Sequence, residues 1–121
     1  MASILIIEDS SLAQYATLVA LRTAGYQVDA VTTIAAAEQA LSRYTPDVCL
    51  LDLILTDSFW RLTCDRIGRL ANRPPIIVIT SDSHVAELLQ YRAQVLRKPI
   101  TIQLLLFTVQ AVVSRIQPTP A

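Results

Sequence analysis

Short apolar runs alternate along this chain with longer stretches in which apolar positions recur every three or four residues. Five short runs read as strands: SILII (3–7), QVDAV (27–31), DVCLL (47–51), IIVIT (76–80) and QVLR (94–97). SILII, DVCLL and IIVIT are almost unbroken, which suits strands buried on both faces, whereas QVDAV alternates as a half-buried strand does. LAQYATLVALRTAG follows the first strand with helical period, opened by Asp or Ser in the Glu8–Ser11 stretch and stopped at Gly25, a natural C-cap. Thr32 or Thr33 caps the Ala-rich IAAAEQALSRY, which Thr45-Pro46 breaks. Asp57 or Ser58 opens FWRLTCDRIGRLA, which ends before Pro74-Pro75, and HVAELLQYR is a short fourth helix. Residues 101–116 form a last helix, followed by the polar, Pro-rich QPTPA.

Five strands alternating with five helices predict an α/β fold with a doubly wound, five-stranded parallel sheet and helices on both faces. The 121 residues make one domain, expected over 1–116, with 117–121 as a tail or the start of a linker. At 53% apolar residues the chain is no candidate for disorder, and its ten basic and ten acidic residues leave no basic footprint for nucleic acid. Its two glycines lie in no GxGxxG or GxxxxGK[ST] pattern, which excludes Rossmann-type and Walker-type phosphate cradles. Cys49 and Cys64 read as small buried hydrophobes in a reduced compartment. No charged leader precedes a cleavage site, and the longest apolar stretch, ITIQLLLFTVQAVV, is 14 residues with polar interruptions, so the expected location is the cytoplasm.

The candidate chemistry sits at strand ends. Doubly wound sheets bind ligands beyond the C-terminal ends of their strands, at the switch point between strands 1 and 3 of the 2-1-3-4-5 order. Glu8 and Asp9 follow strand 1, Asp52 follows strand 3, Thr80 ends strand 4 and Lys98 follows strand 5. Three carboxylates packed together repel one another unless a cation sits among them. Hard oxygen ligands with no His or Cys suit Mg²⁺. Charges of −3 and +2 then leave −1, which Lys98, the only lysine beside nine arginines, brings to about zero. A phosphoryl group entering would meet a cation, an ammonium and a hydroxyl, the parts phosphoryl transfer needs.

These residues, in this order, resemble the receiver domain of bacterial response regulators over nearly the whole chain. The likeness rests on the acidic pair in ILIIEDS, the aspartate in DVCLLDLIL, the hydroxyl in IIVITS and the KP in VLRKP. It implies a flavodoxin-like fold and a two-component signalling switch rather than a turnover enzyme. Asp52 would accept a phosphoryl group from a phosphohistidine on a histidine kinase or phosphotransfer protein. Asp9, with Glu8 partly through water, would hold Mg²⁺ alongside Asp52 and the backbone carbonyl of Ile54. Lys98 would pair with Asp52 and then with the phosphoryl oxygens, and Thr80 would shift toward the phosphoryl group and pass the change to the surface of strands 4 and 5.

The chain also departs from that family's pattern. Thr56 and Trp60 stand where Pro and Gly are usual, four and eight residues after the aspartate, so the loop after Asp52 is expected to be shaped differently. Trp60 reads as a buried anchor, with a partner contact as the alternative. Val95 stands where an aromatic switch residue is usual, and the 18-residue span from Thr80 to Lys98 shortens the fourth helix by about one turn, ~4 residues. Ile54 is expected to shield the acyl phosphate from water, so that Ile54→Asn speeds dephosphorylation. The last helix is apolar on more than one face, which fits burial in a homodimer through the fourth helix, fifth strand and last helix, burial against a kinase helix, or a core helix covering more sheet over a shortened fourth helix. His84, the only histidine, reads as a surface residue.

Three other functions compete. A pseudo-receiver would act as a phosphorylation-independent interaction module, as the altered switch positions allow. A haloacid-dehalogenase-type phosphohydrolase needs a second acid where Ile54 stands. A flavin mononucleotide binder needs a hydroxyl- and amide-rich loop where Glu8 and Asp9 would repel the phosphate.

Overall fold

The computed structural model describes residues 2–8, 11–53, 69, 74–81 and 94–116. Its strands are β1 (Ser3–Glu8), β2 (Gln27–Val31), β3 (Val48–Leu53), β4 (Ile76–Thr80) and β5 (Gln94–Arg97). The described helices are α1 (Ser11–Thr23), α2 (Ile34–Arg43) and α3 (Ile102–Ile116), the last being the final helix read from the sequence. All strand pairs are parallel, and the sheet order is β2-β1-β3-β4-β5. The doubly wound fold and its strand order are therefore as the hydrophobic pattern predicts.

Strand alternation splits the core in two. Leu5, Ile7, Cys49, Leu51, Ile76 and Val78 face one side, packed with Ala37 of α2. Ile4, Ile6, Val48, Leu50, Ile77 and Ile79 face the other, packed with Leu21 of α1 and Leu105, Val109 and Val112 of α3. Right-handed crossovers account for this: the chain leaves β1 in one direction through α1 and returns past it through α2, so the two helices cover opposite faces. Both faces being covered, β1, β3 and β4 are apolar without alternation.

Local sequence stops and starts the helices as the pattern suggests. Gly25 has φ +100° and closes α1. Tyr26 N–H donates to Leu21 O at 3.2 Å and Gly25 N–H to Arg22 O at 3.0 Å, the paired bonds of a Schellman motif. Of the two candidate threonines, Thr33 caps α2, its hydroxyl accepting from Ala36 N–H at 3.1 Å. Thr101 caps α3, its hydroxyl accepting from Leu104 N–H at 3.1 Å. Lys98-Pro99 is a cis peptide bond.

The third strand differs from its prediction at both ends. It begins after Asp47, whose carboxylate accepts from Ser3 N–H at 2.8 Å and from the Ser3 hydroxyl at 3.4 Å. Asp47 N–H in turn donates to Ser3 O at 2.9 Å, so the residue clamps β1 rather than opening β3. At the other end β3 continues past Leu51, and Asp52 lies within it, paired with Glu8 on one side and Ile79 on the other. Glu8 likewise ends β1 rather than following it. The ladder runs on because backbone pairing with two neighbours is indifferent to the side chain, and the carboxylates find partners beside the strands.

Part of the wide apolar surface of α3 stays outside the core. Leu105 and Val109 are buried, whereas Ile102, Leu104 and Phe107 are 45%, 42% and 73% exposed. Among the described residues no helix is long and apolar enough to cross a membrane. The helices predicted over 59–71 and 84–92 lie outside the described residues. So do Asp9, Ile54, Thr56, Trp60, Cys64, His84 and the 117–121 tail.

Candidate functional site at the C-terminal rim of the sheet

Three predicted residues converge. Glu8 and Asp52 are register partners on β1 and β3, and both follow the alternation of the α1–α3 face, Glu8 after Ile6 and Asp52 after Leu50. Glu8 is wholly buried and Asp52 is 13% exposed. Lys98, just beyond β5, reaches across β4 and brings Nζ to 2.7 Å from Asp52 Oδ1. Its backbone fixes its start point: Lys98 N–H donates to Thr80 O at 2.9 Å, tying the exit of β5 to the end of β4.

Thr80 ends β4 at the same rim, buried at 2% exposure, but its place in the alternation follows Ile76 and Val78. It therefore belongs to the α2 face, opposite Asp52. Val95 packs against that same α2-side cluster. By strand alternation, Asp52 and Thr80 thus fall on the two faces of one sheet.

Electrostatics distinguish Asp52 from an ordinary strand residue. Two carboxylates side by side in a desolvated row repel, and burial penalises each charge. Lys98 offsets one of them. The contact is an ion pair and not an aligned hydrogen bond: Asp52 Oδ1 is buried and, among the described residues, accepts no hydrogen bond. The ammonium offsets the carboxylate's charge while the oxygen keeps lone-pair capacity for a ligand or a cation.

Beside the pair opens a cavity of about 490 Å³, lined by Asp52 and Lys98 together with the apolar Ile79, Ile102 and Leu105. Sequence reading missed it. Thr17 of α1 also lines it, and a helical residue's place against another helix becomes legible only once it is known that α1 and α3 share a face.

The model of the response regulator receiver domain family matches residues 4–110, which includes Glu8, Asp52, Thr80 and Lys98. The chain belongs to this family. Receiver domains are signalling domains of two-component systems, not turnover enzymes, and the family assignment inferred from the four motifs stands. Over 78 residues the receiver is 35% identical to the transcriptional regulatory protein BasR of Escherichia coli (strain K12), a match covering 64% of this chain. It spans about a third (35%) of the length of that curated relative. Among solved structures it is similar to a response regulator receiver protein from Burkholderia phymatum, at 27% identity and TM-score 0.81, covering 94% of this chain and 96% of that one. It is also similar to the signal receiver domain of a signal transduction histidine kinase from Syntrophus aciditrophicus, at 25% identity and TM-score 0.84, covering 100% of this chain and 96% of that one.

Receiver domains generally bind Mg²⁺ at the phosphorylation site, and the residues present here fit such an ion. Glu8 and Asp52 supply hard oxygen donors in register, and the buried Oδ1 of Asp52 lacks a hydrogen bond that a cation would replace. Among the described residues no cluster of three acidic, His or Cys ligands forms, because the third predicted acid, Asp9, lies outside them.

Proposed function

We propose that Asp52 is the phosphoacceptor of this receiver and that its donor is a phosphohistidine on a histidine kinase or phosphotransfer protein. The Asp52–Lys98 contact at 2.7 Å beside buried Glu8 is the observation that carries this reading. A carboxylate oxygen of Asp52 attacks phosphorus, an O–P bond forms and the N–P bond to the donor's imidazole breaks. Lys98 holds Asp52 before the reaction and follows the phosphoryl oxygens after it, its ammonium being a point charge on a flexible stem. Glu8, Asp9, Asp52 and the backbone carbonyl of Ile54 would hold Mg²⁺, which when bound neutralises charge on the transferring group. Low exposure at Asp52 slows hydrolysis by limiting water. The receiver occupies 1–116, works in the cytoplasm and catalyses at most its own phosphorylation and dephosphorylation.

For output, Thr80 must turn from the α2 face toward Asp52. Val95 offers no ring to follow it, so signalling through the usual aromatic relay is weakened. The exposed Leu104 and Phe107 of α3 support a homodimer through the fourth-helix, β5 and α3 surface.

A second reading, the phosphorylation-independent interaction module, draws on the same two features: strand alternation puts Thr80 on the face opposite Asp52, and position 95 is Val. One experiment separates them. Incubation with Mg²⁺ and acetyl phosphate should add the mass of one phosphoryl group to wild type and none to Asp52→Asn. No gain in either protein favours the second reading.

A further inference from the structure

The cavity beside Asp52 is larger and more apolar than a phosphoryl site requires. Its 490 Å³ is well beyond what a phosphoryl group alone would fill. Of its lining residues Asp52 and Lys98 are charged, and Ser81, Thr17 and Thr101 carry neutral hydroxyls. The remainder is hydrocarbon: Ile79, Pro99, Ile100, Ile102 and Leu105. Ile102, the first residue of α3, lines the cavity and is 45% exposed, so part of its side chain is open to an occupant or to solvent. A mostly apolar cleft with a few convergent polar groups is the usual character of a small-ligand site.

We infer that this cavity makes the receiver selective among small phosphodonors, favouring acyl phosphates that carry a short hydrocarbon chain over acetyl phosphate. The inference rests on the phosphoacceptor reading and adds the substrate class to it. Lys98 draws the anionic phosphoryl end toward Asp52, and the uncharged chain lies against Ile79, Ile102 and Leu105. Charge complementarity thus fixes the direction in which the donor enters. The reaction balances without a further reactant: an Asp52 oxygen bonds to phosphorus, the P–O bond to the acyl group breaks, and the acyl group leaves as a carboxylate with the bonding pair. Donors of this kind come from reactions that exchange a thioester or anhydride of a short fatty acid with inorganic phosphate.

The test compares second-order rates of phosphorylation of the full chain by acetyl phosphate and by butyryl phosphate, at equal Mg²⁺, read by intact mass. Burial of the two extra methylenes in a half-open cleft gives butyryl phosphate an advantage of about fivefold. In Ile102→Ala the ratio of the two rates should fall toward one. In Tyr15→Ala, a surface change on α1 at a residue that does not line the cavity, the ratio should persist. Equal rates for the two donors in wild type, or a ratio undiminished in Ile102→Ala, would overturn the selectivity while leaving Asp52 as phosphoacceptor. No phosphorylation by either donor would overturn the phosphoacceptor reading and this inference with it.

Discussion

Asp47 and Asp52 stand five positions apart, at opposite ends of one buried strand, and the protein treats them in opposite ways. Asp47 is met by the N–H and hydroxyl of Ser3, and its own N–H returns bonds to Ser3. Its partners are neutral, short-tethered and fixed by the first residue of β1. Asp52 is met by a long cationic side chain from just beyond β5, beside a second, wholly buried carboxylate, with Oδ1 making no hydrogen bond among the described residues. The first arrangement satisfies a charge in place. The second leaves it partly unsatisfied next to a cavity, which lowers stability locally and keeps the carboxylate available for a reaction. Residue type at the two ends is the same, so what separates the clamp from the proposed nucleophile lies in the partners and not in the aspartate.

Substitutions should separate the two roles. The largest effect is expected for Asp52→Asn, which should reduce phosphoryl uptake by more than about 100-fold while changing stability by no more than about 1 kcal/mol, since it removes a repulsion with Glu8 along with the Lys98 ion pair. Intact mass and a thermal melt read the two quantities. Lys98→Ala comes next. It should slow phosphorylation about 10- to 100-fold, by loss of the ammonium that neutralises the site, and added Mg²⁺ should recover only part of the rate. If Lys98→Ala matched wild type, the 2.7 Å pair would be structural and the contrast between the two aspartates would collapse.

Asp47→Ala should show the reverse profile. Leaving Ser3 N–H and its hydroxyl without an acceptor at a half-buried site costs about 1–3 kcal/mol, measurable as a lowered urea midpoint. Phosphorylation at a temperature where the variant is folded should match wild type. The smallest effect concerns a third aspartate. Asp29 accepts from the Tyr44 hydroxyl at 2.8 Å, and burial first, then that bond, pushes the Tyr44 phenol well above its usual range. A group whose pKa is raised on folding contributes stability below its unfolded value and loses it as pH rises through the folded one. Stability should therefore fall above about pH 10, and Tyr44→Phe, itself costing about 0.5–1 kcal/mol near neutrality, should flatten that fall.

Much of this was legible in the residues. Unbroken apolar runs located β1 and β4, and Gly25 and Thr33 marked helix ends through the φ and hydrogen bonds that each supplies. Glu8, Asp52 and Lys98 were legible as a site because parallel-sheet topology gathers strand ends. The misplaced end of β3 has a simple origin: a charged residue looks like a strand terminus, yet the backbone ladder pairs Asp52 with both Glu8 and Ile79. The face of Thr80 could have been read by alternation, since the run IIVIT already ended at Thr80; treating strand ends as points hid it. The cavity depends on α1 and α3 meeting across the sheet, a contact between residues some ninety positions apart that no local pattern encodes.

The distinction between the clamp and the nucleophile is tested most directly by locating the phosphoryl group itself. After incubation with Mg²⁺ and acetyl phosphate, borohydride reduction converts an aspartyl phosphate to homoserine, and peptide mass spectrometry reads its position. Homoserine at residue 52, with Asp47 and Glu8 unchanged, is the predicted result. Homoserine at residue 47, the longer 2-amino-5-hydroxypentanoic acid at residue 8, or no reduced residue at all would contradict the account.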